Sequence, residues 1–248
     1  MTTVMITGCS SGFGLATAQH FLDRGWCVVA TMRRPAADLL PASDRLKVLP
    51  LDVCDPASIA SAVAAAGEID VLVNNAGVGW LGPLEGTSPE TIRWLFETNT
   101  FGAMETVRAV LPQFRARGAG TIVNVSSSTT LMPLPLLSVY TATKAAMNAF
   151  TECLALELAP FGIQTRLVLP GRAPGTDFAD NARTNMAEAA AAPDAYSPML
   201  EAVMGRLGET GEPLTETPDV VAAIWRAATD RSCPPRLAAG ADAEALAA

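Results

Sequence analysis

Tyr140 and Lys144 stand four residues apart in a stretch that reads as helix, so both side chains fall on one face. An ammonium beside a phenol favours the phenolate. A reaction at a carbonyl needs a proton donor near neutral pH, and free tyrosine, with a pKa of about 10, fills that role only when a cation pulls it down. Composition sharpens the pairing: there are two tyrosines (Tyr140, Tyr196) and two lysines (Lys47, Lys144), every other basic side chain being arginine. Upstream, Ser126, Ser127 and Ser128 close an apolar run. A hydroxyl there, Ser127 for preference, would polarise the same carbonyl oxygen, although serine after a strand is also an ordinary turn or capping residue. Asn99 continues the apolar stripe of Ile92, Leu95 and Phe96. Its amide therefore points inward and must be satisfied, either by backbone groups or by an ordered water leading to Lys144.

A second group of residues has the chemistry of phosphate binding. Gly8, Gly12 and Gly14 follow a strand and open a helix, with Ser10, Ser11 and Phe13 between them. Missing side chains let backbone amides and the positive helix end approach a pyrophosphate. The spacing is G-x3-G-x-G rather than G-x-G-x-x-G. A carboxylate at the end of the second strand would favour NAD, but Arg33 and Arg34 stand there. Two guanidinium groups suit a 2′-phosphate, which favours NADP(H) over NAD(H).

These residues need a scaffold that gathers them. Apolar, β-rich runs at 4–7, 27–32, 46–51, 69–73, 121–125 and 163–169 alternate with helical stretches, two of them clear: one opening at Ser88-Pro89-Glu90, the other running from Ser138 to Ala159. That alternation predicts an α/β fold, a Rossmann-like doubly wound parallel sheet of six to seven strands with helices on both faces. A seventh strand at 236–240 is short and Ala-rich, and the last residues, ADAEALAA, read as a frayed end. No repeat or linker divides residues 1–248, which read as one dinucleotide-binding domain with a substrate-loop excursion at about 172–213. Ligands of open parallel sheets sit beyond the carboxyl ends of the strands. There the sequence puts the glycine turn, Arg33-Arg34, Asp52, Asn74-Asn75-Ala76-Gly77, the serine run and Pro170-Gly171.

Composition excludes other classes. A formal charge of −8 leaves no broad basic surface for nucleic acid or an anionic membrane, and the longest apolar run, Val220 to Trp225, is too short to span a bilayer. Five scattered cysteines form neither a disulfide framework nor a zinc clamp, and no secretory leader opens the sequence, so a reducing cytoplasm is expected. His20, the single histidine, argues against a serine or cysteine hydrolase and removes the commonest metal ligand, so no metal is expected.

Taken in order, Thr7-Gly8-x-x-x-Gly12-x-Gly14, Asn74-Asn75-Ala76-Gly77, Ser127, Tyr140-x-x-x-Lys144 and Pro170-Gly171 make the chain resemble the compact short-chain dehydrogenases/reductases over nearly its whole length. The family's spacings, thirteen residues before Tyr140 and twenty-eight before that, select Ser127 and Asn99. The resemblance implies that Tyr140 is the acid/base, that Lys144 lowers its pKa and holds the nicotinamide ribose, that Ser127 orients the carbonyl and that Asn99 anchors a proton-relay water. It implies further that Asp52 and Val53 meet the adenine edge, that Asn74, Ala76 and Gly77 line the cofactor with Pro170 and Gly171, and that Thr176 meets the nicotinamide amide. CVVATMRRP is similar to the segment of NADP-preferring members, which often carry a further basic residue where this chain has Ser11.

The expected function is NADPH-dependent reduction of a ketone or aldehyde to an alcohol. The alternatives are an NAD-linked alcohol dehydrogenase working oxidatively and a non-catalytic dinucleotide sensor. Trp80, Leu81, Leu131, Met132, Val139, Met186 and Met199 flank the site in sequence and favour a hydrophobic substrate. A homodimer or homotetramer packed through helices at about 89–117 and 138–159 is implied by the resemblance.

Overall fold

Residues of both parities along the strands are apolar: Val4 and Ile6 face one way and Met5 the other, all fully buried. Only a sheet covered on both sides satisfies that pattern. The computed structural model describes residues 1–36, 38–174, 193–208 and 214–248. Among these, β1 (Thr3–Thr7), β2 (Cys27–Met32), β3 (Leu46–Pro50), β4 (Val71–Asn74), β5 (Gly120–Val125), β6 (Ile163–Pro170) and β7 (Arg236–Ala239) form one sheet. The strand order is β3-β2-β1-β4-β5-β6-β7 and every pairing is parallel. The seventh strand is present, with Val168 in register with Leu237.

Helices cover both faces. On one side α1 (Gly12–Asp23) and α7 (Thr217–Thr229) bury Phe21 and Ile224 against Ile6, Val28 and Val123. On the other, α2 (Pro56–Ala66), α4 (Gly102–Arg117) and α5 (Ser138–Leu158) bury Ile59, Phe114 and Leu154 against Met5, Leu72 and Ile122. His20 packs edge-on to Trp225 in the α1–α7 seam, a structural position far from any role in chemistry.

The helix breaks follow local chemistry. Ser88 accepts the Thr91 N–H at 3.0 Å to start α3 (Pro89–Phe96), and Gly162, at φ +70, turns the chain after α5. Between α3 and α4 the helix does not stop. Residues Glu97–Phe101 form a π-turn, one of the insertions that re-aim side chains inside a helix. The excursion contains α6 (Ser197–Gly208). The ending ADAEALAA is not frayed: Ala241–Ala247 form α8, and its Asp242 accepts the Arg172 N–H at 2.6 Å and the Thr215 hydroxyl at 2.6 Å. Among the described residues no helix is long and apolar enough to cross a membrane.

Candidate active site

The turn after β1 packs tightly on the end of β4. Gly8 has φ +75, and a Cβ there would sit 2.8 Å from Ala76 Cα; a Cβ on Gly14 would strike the Gly8 carbonyl. Two neighbouring residues lock this approach. Thr7 Oγ1 accepts the N–H groups of Asn75 and Ala76, both at 3.0 Å, while Asn75 Nδ2 donates to the carbonyls of Thr7 at 3.0 Å and Gly8 at 3.1 Å. Sequence reasoning gave neither Thr7 nor Asn75 its own part; the signal was an amide residue just past a strand. Ser11 occupies the α1 N-cap without a side-chain cap bond, and no acid lies in the first turn. Free amides at a positive helix end, behind a turn that admits no Cβ, fit a pyrophosphate. Ser10 is exposed and Phe13 leans on the core beneath.

Further along the same rim, Leu51 N–H bonds to the Met32 carbonyl at 3.0 Å, bringing the residues after β2 and β3 together. Arg33 and Arg34 are exposed beyond β2. Asp52 accepts the Cys54 N–H at 3.0 Å, and Val53 packs against the backbone at Gly102. Arg33 is near enough to Cys54 to draw its thiol pKa down, against a larger upward push from burial.

Asn74 is the last residue of β4. Its side chain is buried and donates to Asn124 Oδ1 at 2.9 Å, because neighbours along a strand point to opposite faces. Asn75, the next residue, makes the side-chain contacts to the turn. Gly171 N–H is engaged by Thr215 Oγ1 at 3.0 Å at the end of β6, next to Pro170. Thr176 and Met186 lie outside the described residues.

The reacting groups converge where α5 crosses the ends of β4 and β5. Its buried stripe carries polar groups at Tyr140, Thr143, Lys144, Asn148 and Thr151, at helical spacing, among the apolar Val139, Met147, Leu154 and Leu158. Tyr140 is 6% exposed and Lys144 4%. Tyr140 and Ser127 share a side-chain hydrogen bond, which lowers the phenol pKa, but burial outweighs it and pushes the value up to about 12. Lys144 donates from Nζ to the Val125 carbonyl at 3.0 Å, and burial pulls its pKa down to about 8. Desolvation is the largest influence on both groups.

Asn99, third in the π-turn, accepts the Val78 N–H at 2.8 Å and donates to the Val78 carbonyl at 2.9 Å and to Thr143 Oγ1 at 3.1 Å. Its amide is thus satisfied by the Val78 main chain and the Thr143 hydroxyl. A Cβ on Gly77 would lie 3.2 Å from Asn99 Oδ1 and 3.4 Å from Lys144 Nζ, so these three residues meet at one point. The serine run separates by partner, since Ser126 donates to Asn148 Oδ1 at 2.5 Å while Ser127 is the one bonded to the phenol. Trp80 and Val139 pack with Tyr140 in a small buried cluster, and Leu81 is buried; Met132 and Met199 are exposed and Leu131 half-buried. A hydroxyl pair, an ammonium on the same helix face and a phosphate-type turn on one rim equip the site for hydride chemistry at an alcohol or carbonyl carbon.

The family model described as short chain dehydrogenase matches residues 2–187. The chain belongs to the short-chain dehydrogenase/reductase family. As a member it is an NAD(P)-dependent oxidoreductase acting on CH–OH and C=O groups. It is similar to an uncharacterized oxidoreductase of Bacillus subtilis, YusZ, at 38% identity over 91% of this chain and 84% of the relative. It is similar also to retinol dehydrogenase 8 of Bos taurus, at 45% identity over 68% of this chain, spanning 58% of that enzyme's length. Among solved structures, a short-chain dehydrogenase from Burkholderia cenocepacia in complex with NADP superposes with a TM-score of 0.79, at 27% identity, over 99% of this chain and 91% of that one.

Proposed function

We propose that this short-chain dehydrogenase/reductase reduces a ketone or aldehyde to an alcohol with NADPH, reversibly, Tyr140 passing the proton to the carbonyl oxygen. The observation that carries the reading is the Ser127–Tyr140 hydrogen bond, formed on the rim that also holds the glycine turn. Ser127 donates to the substrate oxygen beside Tyr140, and the phenol, held protonated by burial, gives up its proton as charge develops there. Lys144, one helical turn on, supplies positive charge behind the phenol and a hydroxyl-binding group for the nicotinamide ribose. The amides that open α1 after the Gly8 turn would hold the pyrophosphate, Asp52 and Val53 would flank the adenine, and Arg33 with Arg34 would take the 2′-phosphate, which favours NADPH over NADH. When bound, the nicotinamide supplies the hydride. Asn99 keeps the Gly77–Val78 loop in place against Lys144.

Met132 and Met199, both exposed, and half-buried Leu131 flank the site in sequence and favour a hydrophobic substrate. A homodimer or homotetramer formed through α4 and α5 accounts for Phe101 and for Leu156, which is 79% exposed; the five free cysteines accord with cytoplasmic residence.

Purified protein with NADPH and a panel of apolar ketones and aldehydes tests the reading through loss of the reduced-cofactor absorbance. Turnover by the parent and none by Tyr140→Phe, with cofactor binding retained, is the expected result. Bound cofactor with no turnover on any carbonyl would favour a sensor, and undiminished turnover by Tyr140→Phe would remove the phenol from the reaction.

A further inference from the structure

A serine hydroxyl has one proton to donate and two sites at which to accept, so its neighbours decide which way it points. At Ser127 both acceptor sites face donors from a single residue. Thr129 donates its main-chain N–H to Ser127 Oγ at 3.2 Å and its own hydroxyl to the same oxygen at 3.1 Å. The turn that carries them is braced from below: Thr130 Oγ1 donates to the Ser127 carbonyl at 2.8 Å and accepts from Asn148 Nδ2 at 2.9 Å, and Asn148 Oδ1 takes the Ser126 hydroxyl. Asn148 lies one helical turn past Lys144 on the same buried stripe.

We propose that Thr129 is a positioning residue that makes Ser127 an obligatory hydrogen-bond donor, its one proton going to the Tyr140 oxygen in the free site and to the reacting carbonyl once substrate is bound. The main-chain N–H alone would leave one lone pair free, and Ser127 could then turn and accept the phenol's proton. The Thr129 hydroxyl closes that option. The direction matters because donation to the phenolate oxygen favours ionisation, whereas acceptance from the phenol opposes it. In a site where burial already holds Tyr140 high, Ser127 is the group that counters it. The inference rests on Tyr140 being the proton carrier.

Thr129→Val removes the hydroxyl and keeps the shape and the main-chain N–H; Thr129→Ala does so with less bulk, and Thr129→Ser restores the donor. The readout is the pH profile of kcat/KM for alcohol oxidation, whose rise follows ionisation of the catalytic base. Losing one neutral hydrogen bond's worth of bias should move that rise about half to one pH unit alkaline in Thr129→Val and Thr129→Ala, and Thr129→Ser should bring it back. A second measurement needs no turnover. In a Tyr196→Phe background Tyr140 is the single tyrosine, so ultraviolet phenolate absorbance follows it directly, and the same alkaline shift is expected. An unmoved rise and an unmoved titration in folded Thr129→Val would overturn the inference, as would a shift that Thr129→Ser fails to reverse. If Tyr140→Phe kept its turnover, the reading underneath would fall instead, so the two failures are told apart.

Discussion

Asn99 clamps the peptide of Val78 from both sides, accepting its N–H at 2.8 Å and donating to its carbonyl at 2.9 Å. The clamp exists because of the π-turn at Glu97–Phe101: one extra residue in the helix rotates an otherwise ordinary position toward the loop after β4. Thr100, next in the same turn, donates to the Thr143 carbonyl at 3.0 Å and ties the turn to α5. Asn99→Ala would leave the Val78 N–H and carbonyl without these partners in a half-buried loop. The expected loss is about 1–3 kcal/mol in urea denaturation, with turnover falling alongside because Gly77 borders Lys144. A variant within about half a kcal/mol of the parent would show the clamp to be dispensable.

Arg33 and Arg34 stand exposed past β2, with Asp52 on the neighbouring strand end. Charge-assisted contacts to a 2′-phosphate contribute about 1.5–3 kcal/mol each, so replacing both arginines by alanine should weaken NADP+ binding about a hundredfold or more and leave NAD+ binding nearly unchanged. Calorimetric titration with both cofactors decides it. Equal losses for NADP+ and NAD+ would mean that the arginines do not read the phosphate.

The C-terminal helix holds the neck of the excursion. Asp242 takes the Arg172 N–H and the Thr215 hydroxyl, each at 2.6 Å, and Thr215 N–H reaches the Arg172 carbonyl at 3.1 Å. Both ends of the excursion are thereby fastened to one carboxylate. Asp242→Ala should cost about 1–3 kcal/mol. Asp242→Asn, which can still accept one of the two bonds, should fall between. Thermal unfolding of the two variants against the parent measures this, and an Asp242→Ala midpoint equal to the parent's would discount the fastening.

How much of this was legible in the sequence depended on range. The central parallel strands announce themselves by apolar residues of both parities, as at Val4, Met5 and Ile6, and the sequence places all the strands to within a residue or two. The largest offset is at the start of β4, expected at Ile69 and found at Val71, where the Ile69 N–H is taken by the Gln113 side chain at 2.9 Å. Tyr140 and Lys144 were legible because helix periodicity alone puts them on one face. The division of labour in the Asn74-Asn75 pair follows strand parity, which turns the Asn74 side chain toward Asn124 and leaves Asn75 to the turn. The order at the C-terminus was hidden: Asp242 is fixed by partners at Arg172 and Thr215, and contacts that distant leave no local trace. Nor does a spacing disclose desolvation, which sets the acidity of both Tyr140 and Lys144.

Lys144 should be a stability burden that function retains. Its pKa in the folded protein is about 8 against an ordinary 10.5, a difference worth about 3 kcal/mol. The folded value is the lower one, so the folded protein binds fewer protons than the unfolded chain between about pH 8 and 10.5, and stability contributed here rises with pH through that window. Below it the ammonium stays charged in a dry site and the full burden applies. Tyr140 acts oppositely and later: raised from 10 to about 12, it makes stability fall across that higher range. Lys144→Met keeps the length of the side chain, removes the charge and gives up one bond to the Val125 carbonyl, worth about 1 kcal/mol. Its denaturation midpoint at pH 7 should therefore match or exceed the parent's while turnover is lost. Between pH 8 and 10 the parent should gain stability and the variant should not. Parallel stability profiles for the two proteins across that interval would show that the ammonium is not destabilised by burial, and the balance of forces drawn for this site would have to be reversed.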